Sequence, residues 1–300
     1  MILILQGAVS LGLLWAVMTI GVFITYRILD YADLTVEGSI TTGASVAATL
    51  ISGGWNPYAA TFLAMISGMV AGLATGLLHT KLKIPPLLSG ILSMIALYSI
   101  NLRIMGKANI SLLKTDTIYT PFINLGLGSR NAVILFGLIC VVILIALLYW
   151  FFGTEIGCAI RATGNNPNMI RAQGVNTDST KILGLVISNG LVALAGALIA
   201  QYQSFSDVGM GIGSIVIGLA SVIIGEVLFG TRNFLNTLIS LVLGAITYRV
   251  IIALVLEMGM RPTDLRLFTA ITVTVALSLP LFRGYLNTFI RSAKNEKGGA

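Results

Sequence analysis

The sequence predicts an all-α polytopic membrane protein, and three observations support this prediction. Of its 300 residues, 56% are hydrophobic and 10% are charged, with a mean hydropathy of +0.96. A soluble domain carries roughly 25% charged residues. Several apolar segments approach the ~20 residues that cross a bilayer as a helix. The Lys and Arg residues stand singly between these segments, as they do in the loops of membrane proteins.

About eight or nine hydrophobic segments follow one another in a single transmembrane domain over residues 1–290. The first lacks a basic leader and is too long for a signal peptide, so it is interpreted as a membrane helix. The second and seventh are short and rich in Gly, Ser and Thr, and either of them could be a broken or re-entrant helix. The segments are 3–25, 38–53, 57–79, 85–104, 131–152, 180–202, 213–230, 235–256 and 264–282.

Small residues mark the surfaces where helices approach closely. Gly68, Gly72 and Gly76 form two overlapping GxxxG units in the third segment. The stretch 190–197 of the sixth segment offers a second such face. Lipid supplies no hydrophobic drive between helices, so small residues indicate protein contact. Packing within one chain is favoured over a seam between two copies.

The positions of the basic residues predict the orientation. With loop 153–179 and the short tail 291–300 in the cytoplasm, eleven basic residues lie inside and six outside, and Arg249 remains within the membrane. This bias agrees with the positive-inside rule. Loop 105–130 is then the substantial extracytoplasmic loop.

One polar stretch, GNNPNMIRAQG at residues 164–174, predicts a short helix near 167–173 with both ends specified. Asn166 is a good N-cap, Pro167 fits the first helical position, and Gly174 fits the left-handed position after the last turn. Such a helix is too short to be stable alone. Met169 and Ile170 offer an apolar patch beside the Arg171 cation. Such a patch suits docking into a groove on a partner protein. An ordinary capped turn between two membrane helices fits the same pattern.

Polar and ionisable residues within apolar segments are costly, so they are candidates for a translocation pathway. The second segment starts with four of them, which could instead cap its helix. Ser93 and Asn189, like Tyr98 and Asn101, are expected first to form hydrogen bonds between helices. Glu226 and Arg249 could pair or face a water-filled vestibule. The full candidate set is Asp33, Thr35, Glu37, Ser39, Ser93, Asn189, Glu226 and Arg249.

The sequence lacks the motifs that are typical of ATP binding, of hydrolytic catalysis and of metal binding. The sequence has no G-x-x-x-x-G-K-[ST] for ATP phosphates and no HExxH or GxSxG. Cys140, Cys158 and His79 have no metal-ligand spacing. The scattered basic residues form no stripe for nucleic acid. We therefore expect no catalytic residues, no metal and no cofactor bound by this chain.

The stretch at residues 154–200, which begins TEIGCAIRATGNNPNMIRAQG, resembles the large cytoplasmic loop of ATP-binding-cassette (ABC) importer permeases, in the group of branched-chain amino acid and ribose permeases. Residues 31–48, which contain DLTVEGS, and residues 82–94, which contain IPPLLSGIL, are similar to two further family segments. With IGLASVIIGE at 217–226, they look closest to tryptophan/tyrosine-type importers. Glu37 stands where sugar permeases have Gly, which disfavours a sugar. The loop pattern is carried by Gly157, Arg161, Ala162, Gly164, Asn166 and Gly174.

The resemblance implies a permease that moves a small solute, an amino acid and by preference an aromatic one, by alternating access. It implies separate ATPase subunits that bind ATP and Mg²⁺, an extracytoplasmic solute-binding protein and a bacterial plasma membrane. It also implies a second permease, either an identical copy or a paralogue, and a homodimer is preferred because closed two-fold symmetry is the commonest assembly. An ion-coupled secondary transporter is the alternative, with Asp33, Glu37 and Glu226 near a coupling ion. The implied ATPase-coupling residues are Gly164, Asn165, Asn166, Pro167, Asn168, Met169, Ile170, Arg171, Ala172, Gln173 and Gly174.

Overall fold

The computed structural model describes residues 2–126, 128–259, 264, 267–271, 274 and 278. Helices dominate this part of the chain, which confirms the all-α prediction. The elements are α1 (Ile2–Phe23, continued by a π-helical turn, Ile24–Ile28), α2 (Thr35–Ser52), α3 (Pro57–Thr80), α4 (Pro86–Met105), β1 (Asn109–Ser111), α5 (Thr120–Asn124), α6 (Ser129–Phe152), α7 (Glu155–Asn165), α8 (Pro167–Ala172), α9 (Thr177–Gln203), β2 (Phe205–Asp207), α10 (Ser214–Phe229) and α11 (Phe234–Glu257).

Within the described residues, six helices are long and apolar enough to cross a membrane, namely α1, α3, α4, α6, α9 and α11. Helices α2 and α10 correspond to the second and seventh predicted segments, with 18 and 16 residues. Both are short, as the sequence predicts, and neither contains the break that their composition allowed. Most of the ninth segment and the whole tail 291–300 lie outside the described residues.

The bundle has two distinct ends. Helices α7 and α8 lie at one end, where their contacts include the π-helical turn after α1. At the other end, β1 pairs antiparallel with β2, with Ile110 opposite Ser206. We call these the α7–α8 end and the strand end. Loop 105–130 belongs to the strand end, opposite loop 153–179, as the predicted alternation of loops requires.

Helix α9 lies at the centre and packs closely on α2 and α3 because glycines remove side chains from the contacts. A Cβ on Gly68 or Gly72 would meet the α9 backbone at Asn189 or Leu185. A Cβ on Gly196 of α9 would meet the carbonyl of Ile40. The small-residue face of α3, the third predicted segment, is therefore a contact within one chain, as we predict from the sequence.

The two shorter helices begin inside the bundle rather than at its ends. The Thr35 hydroxyl at the start of α2 is joined through Thr75 to Ser93, the eighth residue of α4. After β2, the chain runs back along α2, so that Gly211 packs against the carbonyl of Glu37 before α10 starts. The starts of α2 and α10 thus approach each other around Glu37.

Candidate functional site

Helix α8 has the capping geometry that the sequence predicts. The side-chain oxygen of Asn166 accepts the N–H of Met169 at 3.1 Å, and Pro167 occupies the first helical position. Gly174 follows the helix with φ of +84°, a conformation that residues with a Cβ avoid. The helix is therefore stopped by local sequence at both ends.

The orientation of α8 corrects the predicted apolar patch. Ile170 is buried, with 5% of its surface exposed, whereas Met169 is 46% exposed. The Arg171 Nε donates to the Thr177 hydroxyl at 2.6 Å, so this guanidinium is tied to the start of α9. A helix this short needs its own apolar anchor to stay folded. The exposed face consists of Asn168, Met169, Arg171, Ala172 and Gln173.

Helix α7 connects this exposed segment to the rest of the bundle. The Thr163 hydroxyl lies 2.9 Å from the Thr180 hydroxyl of α9. Gly164 packs directly on the carbonyl of Ile28, where a Cβ would not fit. The Arg161 guanidinium lies 5.0 Å from the ring centre of Phe234, at the start of α11. The α7–α8 segment therefore contacts α9, α11 and the π-helical turn that continues α1, in addition to α6, which directly precedes it.

The sequence allowed Glu226 to pair with Arg249, and the structure shows that these two residues do not pair. Glu226 accepts from the Arg27 Nε at 3.1 Å, beside a polar cleft of about 740 Å³ at the α7–α8 end. Arg249 is fifteen residues beyond the start of α11, about 22 Å further along the bundle. Its guanidinium lies over the Trp15 ring, 4.0 Å from the centre. The opposite directions of α10 and α11 separate the two charges.

Three of the pathway candidates form one buried hydrogen-bond network between α2 and α9. The Asn189 amide donates to the Asp33 carboxylate at 2.8 Å and accepts from the Ser39 hydroxyl at 2.6 Å. Asp33 also accepts the N–H of Thr35, the first residue of α2, at 2.9 Å, although the N-cap position itself is Leu34 rather than Asp33 or Thr35.

Two more candidates join a second network. The Thr35 hydroxyl lies 2.8 Å from that of Thr75, which in turn donates to Ser93 at 2.7 Å. Ser93 and Asn189 therefore form hydrogen bonds between helices, as predicted from the sequence. Thr75 was missed because a threonine in an apolar helix carries no distinctive signal. Such a hydroxyl often bonds only its own helix, as Thr75 also does with Ala71.

Glu37 differs from these candidates because it lies on the wall of a cavity of about 420 Å³. The cavity lies between α2, α4 and the segment before α10. The Glu37 carboxylate is half-buried and accepts the N–H of Gly213 at 3.0 Å. Tyr98 and Asn101 of α4 share this wall. Their spacing of three residues places them on one helix face.

The described residues hold no group of three His, Cys, Asp or Glu side chains that could bind a metal ion. The two polar networks lie within the helix bundle rather than on its surface.

The family model for the permease component of branched-chain amino acid transport systems matches residues 4–278. A tyrosine transport system permease protein of Clostridioides difficile is 44% identical over 277 residues, 91% of each chain. An autoinducer 2 import system permease protein of Yersinia pseudotuberculosis is 29% identical over 69% of this chain and 58% of its own. A solved metal-chelate type ABC transporter, in an inward-facing conformation, is 16% identical with a TM-score of 0.49, over 93% of this chain and 84% of its own. Because the family model spans nearly the whole chain, this protein belongs to the permease components of branched-chain amino acid-type transport systems, the membrane subunits of ABC importers.

Proposed function

We propose that this chain forms one half of the translocation pathway of an importer for an amino acid, with an aromatic one preferred. The proposed substrate class is supported by the 44% identity to a tyrosine transport permease over 91% of both chains. Identity at this level over most of both chains supports a shared helix packing and a related substrate. Glu37, in place of the glycine of sugar permeases, supports the same class.

We propose that separate ATPase subunits drive transport and dock on α8. The exposed Met169 beside the Arg171 cation supports docking, because an apolar side chain on a capped, anchored helix is pre-organised for a groove. Contacts of α7 with Thr180, Ile28 and Phe234 would carry the motion into three long helices. Rocking of helices around the pathway would then give alternating access.

The proposed assembly contains a second copy of this chain, related by a two-fold axis, in a bacterial plasma membrane. An extracytoplasmic solute-binding protein would deliver the solute at the strand end. A closed two-fold dimer is the commonest assembly of identical subunits.

The test begins with the tagged chain in its native membrane, purified in mild detergent. We expect a nucleotide-binding subunit to co-purify in stoichiometric amount, with vanadate-sensitive ATP hydrolysis. Membrane vesicles loaded with ATP should then accumulate labelled L-tyrosine or L-tryptophan in preference to L-leucine and D-ribose. A chain that purifies without an ATPase and transports in response to an imposed ion gradient would overturn the proposal.

A further inference from the structure

The cavity beside Glu37 has the chemistry of a site for a cation. The described residues on its wall include one carboxylate and no Lys, Arg or His. The rest of the wall is largely apolar, with Met94, Ile95 and Ile212 among its members. A carboxylate within a helix bundle is costly to hold unless charge or hydrogen-bond donors compensate it.

The protein itself compensates Glu37 only in part. The carboxylate accepts the Gly213 N–H at 3.0 Å, next to the start of α10. The partial positive charge of a helix N-terminus favours the ionised form. A single backbone donor leaves acceptor capacity on the carboxylate, which has about four lone-pair sites. The half-buried side chain can offer these sites to a molecule in the cavity.

Asn101 supplies a second, independent observation. Its side chain is fully buried and lies on the cavity wall, yet its Oδ1 has no hydrogen-bond partner among the described residues. Its Nδ2 makes one long bond of 3.4 Å to the carbonyl of Gly38. Because buried polar atoms are nearly always paired, an orphaned acceptor beside a cavity indicates a missing donor.

The two acceptors and an aromatic ring together define a ligand class. A primary ammonium group has three donors and no acceptor, so it complements a carboxylate and an amide oxygen. Tyr98 also lines the cavity, and a tyrosine is a residue type whose ring face attracts cations. We propose that this cavity binds the ammonium group of an amino acid or another small primary amine as it passes through the permease. This inference rests on the proposed transport function and names the group that is recognised.

The test uses the complex of permease and ATPase subunits in lipid nanodiscs, without a binding protein. Two labelled probes are compared, L-tyrosinamide and its analogue without the amino group. The first should bind at least about tenfold more tightly, because it alone carries the ammonium group. Glu37→Gln should abolish this preference. The substitution keeps the side-chain size and an oxygen for the Gly213 N–H, so the fold should persist.

Two further variants serve as references. Glu37→Asp retains the charge and should preserve part of the preference. Asp116→Asn removes an exposed charge at the strand end and should leave the preference intact. Equal affinity of the unaltered complex for both probes would overturn the proposal. The absence of binding of either probe at millimolar concentration would overturn it as well. So would a full preference in Glu37→Gln. ATP-driven uptake, measured separately, shows whether the transport function fails as well.

Discussion

At the scale of single residues, Asn189 connects the central helix to the start of α2. Its amide joins the Asp33 carboxylate and the Ser39 hydroxyl at 2.8 and 2.6 Å. Asn189→Ala leaves both groups buried without this partner, which should destabilise the fold by about 1–3 kcal/mol. Thermal denaturation of the purified permease in detergent should show a lower midpoint. Asn168→Ala, at an exposed position on α8, should not change it. Equal midpoints for the two variants would refute the structural role of Asn189.

Gly43 shows how closely α2 and α9 approach each other. A Cβ at this position would fall on the backbone carbonyl of Ala193. Gly43→Ala should therefore separate the helices and cost about 1–3 kcal/mol, as overpacking does in tightly packed cores. Gly7→Ala is the matched control, because no atom lies within 4 Å of the added Cβ. It should be neutral or slightly stabilising, since alanine favours a helix over glycine by about 0.5–1 kcal/mol. Equal thermal midpoints for both variants would mean that the contact is looser than the structure has it.

At the scale of elements, the exposed face of α8 can be tested separately from its fold. Met169→Asp introduces a charge on a side chain that is 46% exposed, so the permease itself should remain folded. If an ATPase groove covers this face, the charge must be desolvated, and recovery of ATPase subunits with the permease should fall about tenfold. The ratio of the two proteins after affinity purification measures this effect. Leu113→Asp, at a side chain 80% exposed near the strand end, is the control. Undiminished recovery with Met169→Asp would argue against docking on α8.

The ends of α8 could be predicted because capping depends on residues three or four positions apart. Asn166, Pro167 and Gly174 act within that range, and the structure places them as expected. The direction of Ile170 could not be predicted. A six-residue helix shows no clear periodicity, and its inward face is chosen by the helices around it. Local chemistry was thus sufficient for the boundaries of α8 and insufficient for its exposed surface.

The partners of the polar residues in the site could not be predicted from the sequence, because they lie on distant elements. Glu226 and Arg249 are both charges in apolar segments, and nothing local shows that they lie at different depths. Their separation follows from the opposite directions of α10 and α11. Asp33 and Asn189 are 156 positions apart and meet because α2 starts inside the bundle. The types of polar residue could be recognised from the sequence, whereas their partners required the packing.

At the scale of the whole molecule, the two ends of the bundle carry different structures. The α7–α8 end bears a capped helix, the Arg27–Glu226 ion pair and a polar cleft. The strand end bears the antiparallel pair of β1 and β2. The Glu37 cavity lies between the ends, beside the start of α10. A solute delivered at one end and a motor at the other would act on opposite sides of the same cavity.

This arrangement requires that the α7–α8 end face the cytoplasm, and a native cysteine reports on it. Cys158 on α7 is exposed, whereas Cys140 lies within α6. In a Cys140→Ser background without ATPase subunits, a membrane-impermeant maleimide should label Cys158 in inverted vesicles and not in intact cells. In a chain that lacks both native cysteines, Leu113→Cys should give the opposite pattern, because it lies at the strand end. Labelling of Cys158 from outside intact cells would place α8 away from ATP and remove the basis for its coupling role.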